Sequence, residues 1–326
     1  MQKTALLAAG KRRALITIAA LAMLAYVGGG FAVDSQRIVA ATWQLGLAGC
    51  GLVLLLSLVN YAIRFQRWQT FINRLGHRLP VGRHLLCYLS GFAFTVSPGK
   101  AGEAVRSLYL REYGVTYGES IAALFVERLQ DVLAMALLAS MAALDRPSYR
   151  PLVAGALLLV VAVLAVLSVA ALPEFIERWS ARLHRPRLAG LLAAFASLLR
   201  ASRVLLTPRM LAFGTFVGVL SWGGEGLGLY LICQGLHLSV DVWTSLGIYA
   251  LAVLAGSAAF FLPAGLGGME LVMTSLLVGH GASLRVAVIA TLLCRVATLW
   301  FAVLIGIIAA AIVETRPRAT PVETVQ

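Results

Sequence analysis

A polar stretch at residues 97–103 reads SPGKAGE and interrupts an apolar region that extends over 84–112. A second break, at residues 262–270, reads LPAGLGGME and interrupts the apolar region 243–280. The arms beside these breaks, such as 84–96, are shorter than the about 20 residues that a helix needs to cross a bilayer. Backbone that leaves the helix at membrane depth is tolerated only where protein or a water-filled cavity surrounds it. Each region is therefore predicted to be a re-entrant helical hairpin that lines a cavity.

Proline and glycine residues form the predicted hairpin tips. Proline ends one arm, glycine permits a tight or left-handed backbone, and the next arm begins with free N–H groups that attract phosphate. Lys100 would add a positive charge there. Alternatively, these residues only shape the hairpin, and Lys100 extends towards the membrane surface. The predicted tip residues are Pro98, Gly99, Gly102, Pro263, Gly265, Gly267 and Gly268.

The composition indicates that the whole chain, 1–326, is one membrane domain. Of its 326 residues, 60% are hydrophobic and 13% are charged, whereas soluble domains average about 45–50% apolar and about 25% charged. A soluble catalytic domain is excluded. The net charge of +13 is assigned to short loops beside apolar segments, which argues against nucleic acid as a partner. The predicted full spans are 14–33, 45–63, 119–144, 151–172, 211–233 and 284–313.

The basic residues predict the orientation. With six spans and two hairpins that return to their own side, 20 of the 27 basic residues, including Arg64 and Arg67, lie on the side of the N-terminus. Four lie on the opposite side, and Lys100, Arg128 and Arg295 lie at membrane depth. By the positive-inside rule, both termini are cytoplasmic. We expect a multi-pass protein of a bacterial inner membrane.

The segment 174–209 is the only sizeable extramembrane piece that the sequence predicts. Phe175, Trp179 and Leu183 recur at i, i+4 and i+8, and Pro186 divides this helix from a second apolar and basic stretch. This pattern is typical of an amphipathic hairpin on the cytoplasmic leaflet, where it would contact anionic headgroups. The alternative is a solvated basic loop.

An internal repeat relates the two halves of the chain, 45–144 and 211–313, with the span 151–172 between them. A shift of 167 residues superposes Glu103 on Glu270 and Arg128 on Arg295. Each half has a span, a broken hairpin ending in Glu, and a span whose Arg comes 25 residues after that Glu. The halves run in opposite directions under the predicted topology. Inverted repeats with broken helices are typical of secondary transporters.

Ionisable residues at membrane depth are candidates for substrate binding. Placing one at the centre of a lipid-exposed helix costs about 2.5–3.5 kcal/mol, so such residues face protein or water. Alternatively, Arg128 and Asp131 form a self-contained pair, in which case Glu127 needs another cation. Glu225 lies among glycines with GxxxG spacing, for which close helix packing is the other interpretation. The candidates are Lys100, Glu103, Arg106, Glu127, Arg128, Asp131, Glu225, Glu270 and Arg295.

Motifs of several enzyme classes are missing from the sequence. It contains no HExxH, GxSxG, Walker A or DxD motif, and its five histidines are scattered. The four cysteines are dispersed in apolar segments, without ligand spacing. We therefore expect no catalytic residue, metal or cofactor.

The motifs together resemble a known family over residues 10–315. PGKAGE at 98–103 with the following Arg106, ERLQD at 127–131 and the break at 262–270 are similar to the lysylphosphatidylglycerol synthase transmembrane (flippase-like) family. The resemblance implies a polytopic inner-membrane protein with re-entrant helices. In the best-known members, this region moves an aminoacylated phospholipid between leaflets, and a separate C-terminal domain synthesises that lipid. This chain ends at Gln326 without that domain, so we expect a stand-alone member and no lysyl transfer; such members are associated with varied lipids, including hopanoids and polyprenyl-linked sugars.

The preferred hypothesis is a lipid translocase or lipid-binding transporter whose partners are membrane lipids. A headgroup phosphate would lie near Lys100, Arg128 and Arg295, while Glu103, Glu127 and Glu270 would receive a cationic group or a coupling proton. One alternative is an intramembrane enzyme with Glu127 or Asp131 as general base. Another is a non-transporting component of a complex of lipid-synthesis enzymes. The sequence leaves undecided whether the protein forms a homo-oligomer.

Overall fold

The computed structural model describes residues 2–97, 101–169, 171–182, 185–258 and 266–315. In these residues the chain forms twelve α-helices and no β-strand. Short 3₁₀ turns occur in and beside the first hairpin, and a π-helical turn, Val296–Trp300, joins the last two helices. The helices are α1 (Gln2–Arg74), α2 (Val81–Ser90), α3 (Arg106–Leu110), α4 (Tyr117–Asp145), α5 (Arg150–Ser168), α6 (Leu172–Ala181), α7 (Pro186–Leu205), α8 (Pro208–Gly235), α9 (Val242–Ala258), α10 (Gly268–Gly279), α11 (Leu284–Arg295) and α12 (Phe301–Thr315).

Several helices have the length and apolar composition of membrane spans. Four of them include or closely match the predicted spans 45–63, 151–172, 211–233 and 284–313. The predicted span 119–144 corresponds to α4, whose 29 residues extend over about 44 Å but carry three charged residues near the middle. The chain is therefore an all-α polytopic membrane protein. In the described residues, the apolar candidate spans are Ile38–Arg74, Pro147–Leu167, Pro186–Leu205, Pro208–Gly235 and Leu284–Thr315.

The connection between the first two predicted spans differs from the prediction. The predicted spans 14–33 and 45–63 leave a connection at 34–44, but α1 is helical there and reverses its direction at Gly46. Tyr26 stacks on Trp300 with ring centroids 5.1 Å apart, and the Tyr61 hydroxyl donates to the Thr298 carbonyl at 3.1 Å. A straight helix would separate Tyr26 and Tyr61 by about 50 Å. The reversal occurs at Gly46 because its φ of +70° is a conformation that glycine adopts without strain.

The first hairpin returns to the side from which it entered. Its ascending arm is α2 with the 3₁₀ turn Gly91–Phe94, and its returning arm is the 3₁₀ turn Ala101–Val105 with α3. The arms are in contact: a Cβ atom at Gly91 would lie 3.3 Å from the carbonyl oxygen of Glu103. The hairpin leads directly into the N-terminus of α4.

The second hairpin consists of α9 and α10 and enters from the other end of α4. A Cβ atom at Gly256 would lie 3.0 Å from Cβ of Met269, so these arms also touch. At its open end, Arg146, the residue that follows α4, donates from Nη2 to the carbonyl of Gly279 at 2.8 Å. The two hairpins therefore point in opposite directions, as the predicted inverted repeat requires.

The two repeats are packed into one another. In α9, a Cβ atom at Gly247 would lie within 3.2 Å of both N and Cα of Ala142 on α4. In α12, Gly306 lies directly on the backbone of Phe92 and Ala93 in the first hairpin. Each repeat thus places its long helix against the hairpin of the other, which encloses the space between them.

The segment 174–209 forms two helices, α6 and α7, separated at Pro186 as predicted. An ion pair between Arg200 and Glu177 joins them. The helix α7 is longer and more apolar than expected, since it also has the length and composition of a span. Oγ of Ser197 is within contact distance of Gly118 in the first turn of α4, so α7 packs beside the beginning of α4. Its location in the interface stays a prediction.

Candidate functional site

A cavity of about 270 Å³ lies between the two repeats. Its walls come from α1, the first hairpin, α4, α8, the second hairpin and the segment after Arg295. Four aromatic side chains line it: Tyr61, Phe92, Trp222 and Tyr249. Among the described residues, six charged side chains also line it: Arg64, Glu103, Arg128, Asp131, Glu225 and Arg295.

Glu127 is the buried centre of the charges of the first repeat. Its side chain has no exposed surface, and Oε2 accepts a hydrogen bond from Nη2 of Arg106 at 2.6 Å. Oε1 accepts from the hydroxyl of Tyr88 at 3.2 Å and from Nη2 of Arg67 at 3.4 Å. The guanidinium of Arg106 lies 3.5 Å from the centroid of the Trp68 ring. Glu127 therefore holds arginines in place beneath the cavity.

Asp131 connects this buried layer to the cavity. Its Oδ1 accepts from Nη2 of Arg67 at 2.6 Å, while Nη1 of Arg67 donates to the carbonyl of Gly214 at 3.2 Å. Gly214 also makes room for Gln130, with which a side chain at this position would collide. The Oδ2 atom of Asp131 lies 3.3 Å from Nη2 of Arg128.

Arg64 and Arg128 are the arginines of the first repeat that reach the cavity. Nη2 of Arg64 lies 3.5 Å from Oε1 of Glu127 and 3.8 Å from Oδ2 of Asp131. Nη2 of Arg128 lies 3.6 Å from Oε2 of Glu103 and 3.5 Å from Oε1 of Glu127. The Arg128 side chain is 27% exposed. These contacts are electrostatic, but they are too long or poorly directed to be good hydrogen bonds.

The second repeat contains a tighter pair. Nε of Arg295 donates to Oε1 of Glu270 at 2.7 Å, and Nη1 approaches Sδ of Met269 at 3.1 Å. The Tyr26 hydroxyl also donates to Oε1 of Glu270 at 3.2 Å, and Oε2 accepts from the Gly267 N–H at 2.7 Å. Gly267, at φ +86°, is the N-cap of α10. Arg295 immediately precedes the π-helical turn, a feature that often occurs at functional sites.

The structure separates the predicted site residues into three groups. Five of them line the cavity: Glu103, Arg128, Asp131, Glu225 and Arg295. Three lie behind its wall and are held by hydrogen bonds: Arg106, Glu127 and Glu270. Lys100 lies outside the described residues, as do the predicted tip residues Pro98, Gly99, Pro263 and Gly265. The described tip residues are Gly102 in a 3₁₀ turn, and Gly267 and Gly268 at the start of α10.

Two predictions about charges are corrected. Arg64 and Arg67 were assigned to a cytoplasmic loop, but α1 continues to Arg74 and both side chains are buried, with 6% and 0% of their surface exposed. The self-contained pair of Arg128 and Asp131 is also wrong, because each residue has further charged neighbours. The cations that donate hydrogen bonds to Glu127 are Arg106 and Arg67, which the sequence alternative did not consider.

Arg64 and Arg67 were missed for an identifiable reason. The predicted span ends at residue 63, and a basic residue just beyond an apolar run normally faces the headgroups. The available signal was the sequence RFQRWQTF over 64–71, in which charged and aromatic residues continue a helical pattern. Tyr26 and Trp222 were missed because aromatic residues in a span carry no charge to mark them.

No group of three or more His, Cys, Asp or Glu side chains in the described parts of the chain has the geometry to hold a metal ion. The ionisable residues are instead arginine and carboxylate side chains in contact. This donor set suits recognition of a charged or polar group rather than metal ligation.

The comparison with known families agrees with this architecture. The sequence profile described as "Lysylphosphatidylglycerol synthase TM region" matches residues 8–306. The chain belongs to this family. Its members share a transmembrane region, so the lysylphosphatidylglycerol synthase TM region family places this chain among membrane proteins related to lipid modification or transport. No curated protein matches the sequence significantly.

Proposed function

We propose that this protein is a lipid translocase or lipid-binding transporter of a bacterial inner membrane, and that the cavity receives the polar part of the lipid. The observation that carries the proposal is a cavity with six charged side chains in the described residues, enclosed by two inverted repeats of apolar helices. Ionisable residues at membrane depth mark pathways for polar groups. In transporters with inverted repeats, the substrate site lies between the repeats.

The size of the cavity suits a headgroup. Its volume of about 270 Å³ is just below the range of about 300–1,000 Å³ that is usual for small-molecule pockets. A second, apolar groove of about 240 Å³ lies between the two arms of α1 and α11. Val296 and Ala297 line this groove, whereas Arg295 and Thr298 line the cavity. One helical turn therefore separates a polar site from an apolar surface suited to a lipid chain.

The surroundings of the carboxylates favour transport over catalysis. A general base must reach the proton that it removes. Glu127 lies behind the cavity wall and accepts hydrogen bonds from Arg106 and Tyr88. Asp131 reaches the cavity, but one of its oxygens accepts from Arg67. Carboxylates held by arginines are weak bases, so we expect the lipid to leave with its covalent structure unchanged.

We also propose how the protein is oriented in the membrane and which molecules it contacts. The N- and C-termini lie in the cytoplasm, because most basic residues outside the cavity flank the spans on that side. The partners are membrane lipids, and α6 and α7 contact anionic headgroups of the inner leaflet. Phe175 and Trp179 support this contact because both are exposed, at 60% and 53%, on a helix that carries Arg178 and is followed by Arg182.

The test is leaflet transfer in proteoliposomes. The full chain is reconstituted with fluorescent phosphatidylglycerol, phosphatidylethanolamine or a polyprenyl phosphate, and a membrane-impermeant quencher reports how fast inner-leaflet lipid reaches the outside. We expect faster transfer of at least one lipid than in protein-free liposomes, with its mass unchanged by mass spectrometry. Transfer at the protein-free rate for the whole panel, or a changed mass, would overturn the proposal.

A further inference from the structure

Arg64 has an unusual environment for a buried arginine. Its guanidinium carbon lies 4.9 Å from the centroid of Trp222 and 5.7 Å from that of Phe92. An aromatic ring that faces a guanidinium group stabilises its positive charge. They leave the N–H groups at the edge of the guanidinium for hydrogen bonds. Arg64 lines the cavity, so that edge is the part available to a ligand.

Two nitrogens of Arg64 and two of Arg128 make no directed hydrogen bond, although each Nη2 lies within ion-pair distance of carboxylate oxygens, the nearest 3.5 Å away for Arg64 and 3.3 Å away for Arg128. In each residue Nε and Nη2 are buried, and no hydrogen bond from these four nitrogens is found to any described residue. Buried charged donors without an acceptor are costly, and native proteins satisfy nearly all of them. Since both arginines line the same cavity, an acceptor that enters it can serve both.

The donors on the cavity wall specify the sign of that acceptor. Around Glu127, four arginines face three carboxylates in the described residues, and Glu225 on the cavity wall adds a fourth negative charge. The charges are therefore balanced, and an anion is favoured because the two arginine edges present only N–H donors. The pair of Arg295 and Glu270 is balanced by itself. Asp131 and Glu225 also line the cavity and repel an anion, so the oxygens of an anion are confined to the arginine edges. The four arginines are Arg64, Arg67, Arg106 and Arg128, and the three carboxylates are Glu103, Glu127 and Asp131.

We propose that Arg64 and Arg128 together bind a phosphate group in this cavity. Planar guanidinium groups match the geometry of phosphate oxygens and form two parallel hydrogen bonds with them. Arg67 and Arg106 do not take part directly, because they are bound to Asp131 and Glu127 and hold those carboxylates in position. The inference deepens the proposed function, on which the lipid origin of the phosphate rests. Of the predicted phosphate site of Lys100, Arg128 and Arg295, it keeps Arg128 and replaces Arg295 by Arg64; Lys100 lies outside the described residues.

Calorimetric titration of the purified full chain in detergent tests the site with three probes. These are inorganic phosphate, dihexanoyl phosphatidate and dihexanoylglycerol, which has the same chains without the phosphate. We expect the phosphatidate to bind at least about tenfold more tightly than the glycerolipid. Binding of inorganic phosphate as well would show that the phosphate group suffices, whereas binding of phosphatidate alone would assign the source to a lipid. Equal affinity for phosphatidate and the glycerolipid, or binding of neither, would overturn the proposal.

The variants Arg64→Gln and Arg128→Gln test whether these two residues form the phosphate site. Each removes a charge-assisted donor set, and we expect a loss of at least about tenfold in phosphatidate affinity. Arg64→Lys keeps the charge but not the planar fork, so it restores only part of the affinity. The control Arg285→Gln removes one positive charge from an exposed position and leaves binding unchanged. Unchanged affinity in the folded variants Arg64→Gln and Arg128→Gln would contradict the site.

A further variant, Glu103→Gln, is expected to strengthen phosphatidate binding rather than weaken it. Oε2 of Glu103 lies 3.6 Å from Nη2 of Arg128, so Glu103→Gln removes a competing negative charge. We expect tighter phosphatidate binding, a result that damage to the fold would not produce; weaker binding would contradict the proposal. The transfer assay separates the two proposals. Binding without transfer contradicts the translocase alone, and transfer that Arg64→Gln and Arg128→Gln do not slow contradicts the phosphate site alone.

Discussion

Nε of Arg295 lies 2.7 Å from Oε1 of Glu270, and the equivalent residues of the first repeat, Arg128 and Glu103, face each other at 3.6 Å. The separation of 25 residues that defined the repeat in the sequence is therefore an ion pair in each half of the structure. The two pairs differ, since the second is hydrogen-bonded and the first is open towards the cavity. This difference breaks the symmetry of the two repeats at the site.

Because the two ion pairs differ, breaking them is expected to lower the stability of the protein by different amounts. Removing one partner of a buried, hydrogen-bonded pair typically costs about 3–5 kcal/mol. Arg295→Gln is therefore expected to lower the melting temperature more than Arg128→Gln. In double-mutant cycles, Glu270 and Arg295 should couple by about 1–3 kcal/mol, with a smaller coupling between Glu103 and Arg128. Equal coupling in both halves would contradict the difference between the pairs.

Glu127 is predicted to be a structural centre rather than a titrating group. Glu127→Gln leaves Arg67 and Arg106 without a carboxylate that both share, so we expect a loss of stability of about 3 kcal/mol or more. The matched control is Glu177→Gln, which breaks the exposed pair with Arg200 and should leave the stability nearly unchanged, because exposed ion pairs contribute little. Thermal unfolding in detergent, followed by circular dichroism, gives both values. Similar losses for the two variants would show that burial of the charges around Glu127 does not matter.

Gly306 tests the packing of one repeat on the hairpin of the other. A side chain there would collide with the backbone of Phe92 and Ala93, and backbone cannot move aside cheaply. We expect Gly306→Val to unfold the protein or to displace α12 from the first hairpin, with a large drop in melting temperature. Gly155→Val is the control, because nothing lies within 4 Å of a Cβ atom at Gly155 on α5. A Gly306→Val protein as stable as the control would refute this contact.

Depth measurements decide whether α7 lies in the membrane interface or spans the membrane. Spin labels are attached at Leu188, Phe195 and Val204, three exposed positions on this helix, and their accessibility to oxygen and to a polar relaxation agent is compared. If α7 lies in the interface, as the sequence pattern predicts, all three labels have similar shallow depths. A depth maximum at Phe195 with shallow values at the other two would instead make α7 a span.

The sequence predicted those features that depend on local chemistry. Breaks at SPGKAGE and LPAGLGGME are incompatible with a straight span, so both hairpins followed from single-chain patterns. The reversal between the first two spans was also predicted, but its position at Gly46 was not, because a single glycine with positive φ among helix-forming residues looks like an ordinary helical position. The depth of Arg64 and Arg67 depends on how far α1 extends, and only contacts with Trp222 and Glu127 from distant segments decide it.

Lipid headgroups are proposed to pass through the cavity, and filling the cavity without changing its charge tests this most directly. Ser257 is exposed on α9 and lines the cavity, so Ser257→Trp places an indole in it, while Ser257→Ala is the matched control. Both proteins are reconstituted and their leaflet-transfer rates are measured with the lipid that the wild type moves. We predict transfer at the protein-free rate for Ser257→Trp and at the wild-type rate for Ser257→Ala. Wild-type transfer by a folded Ser257→Trp protein would contradict the account.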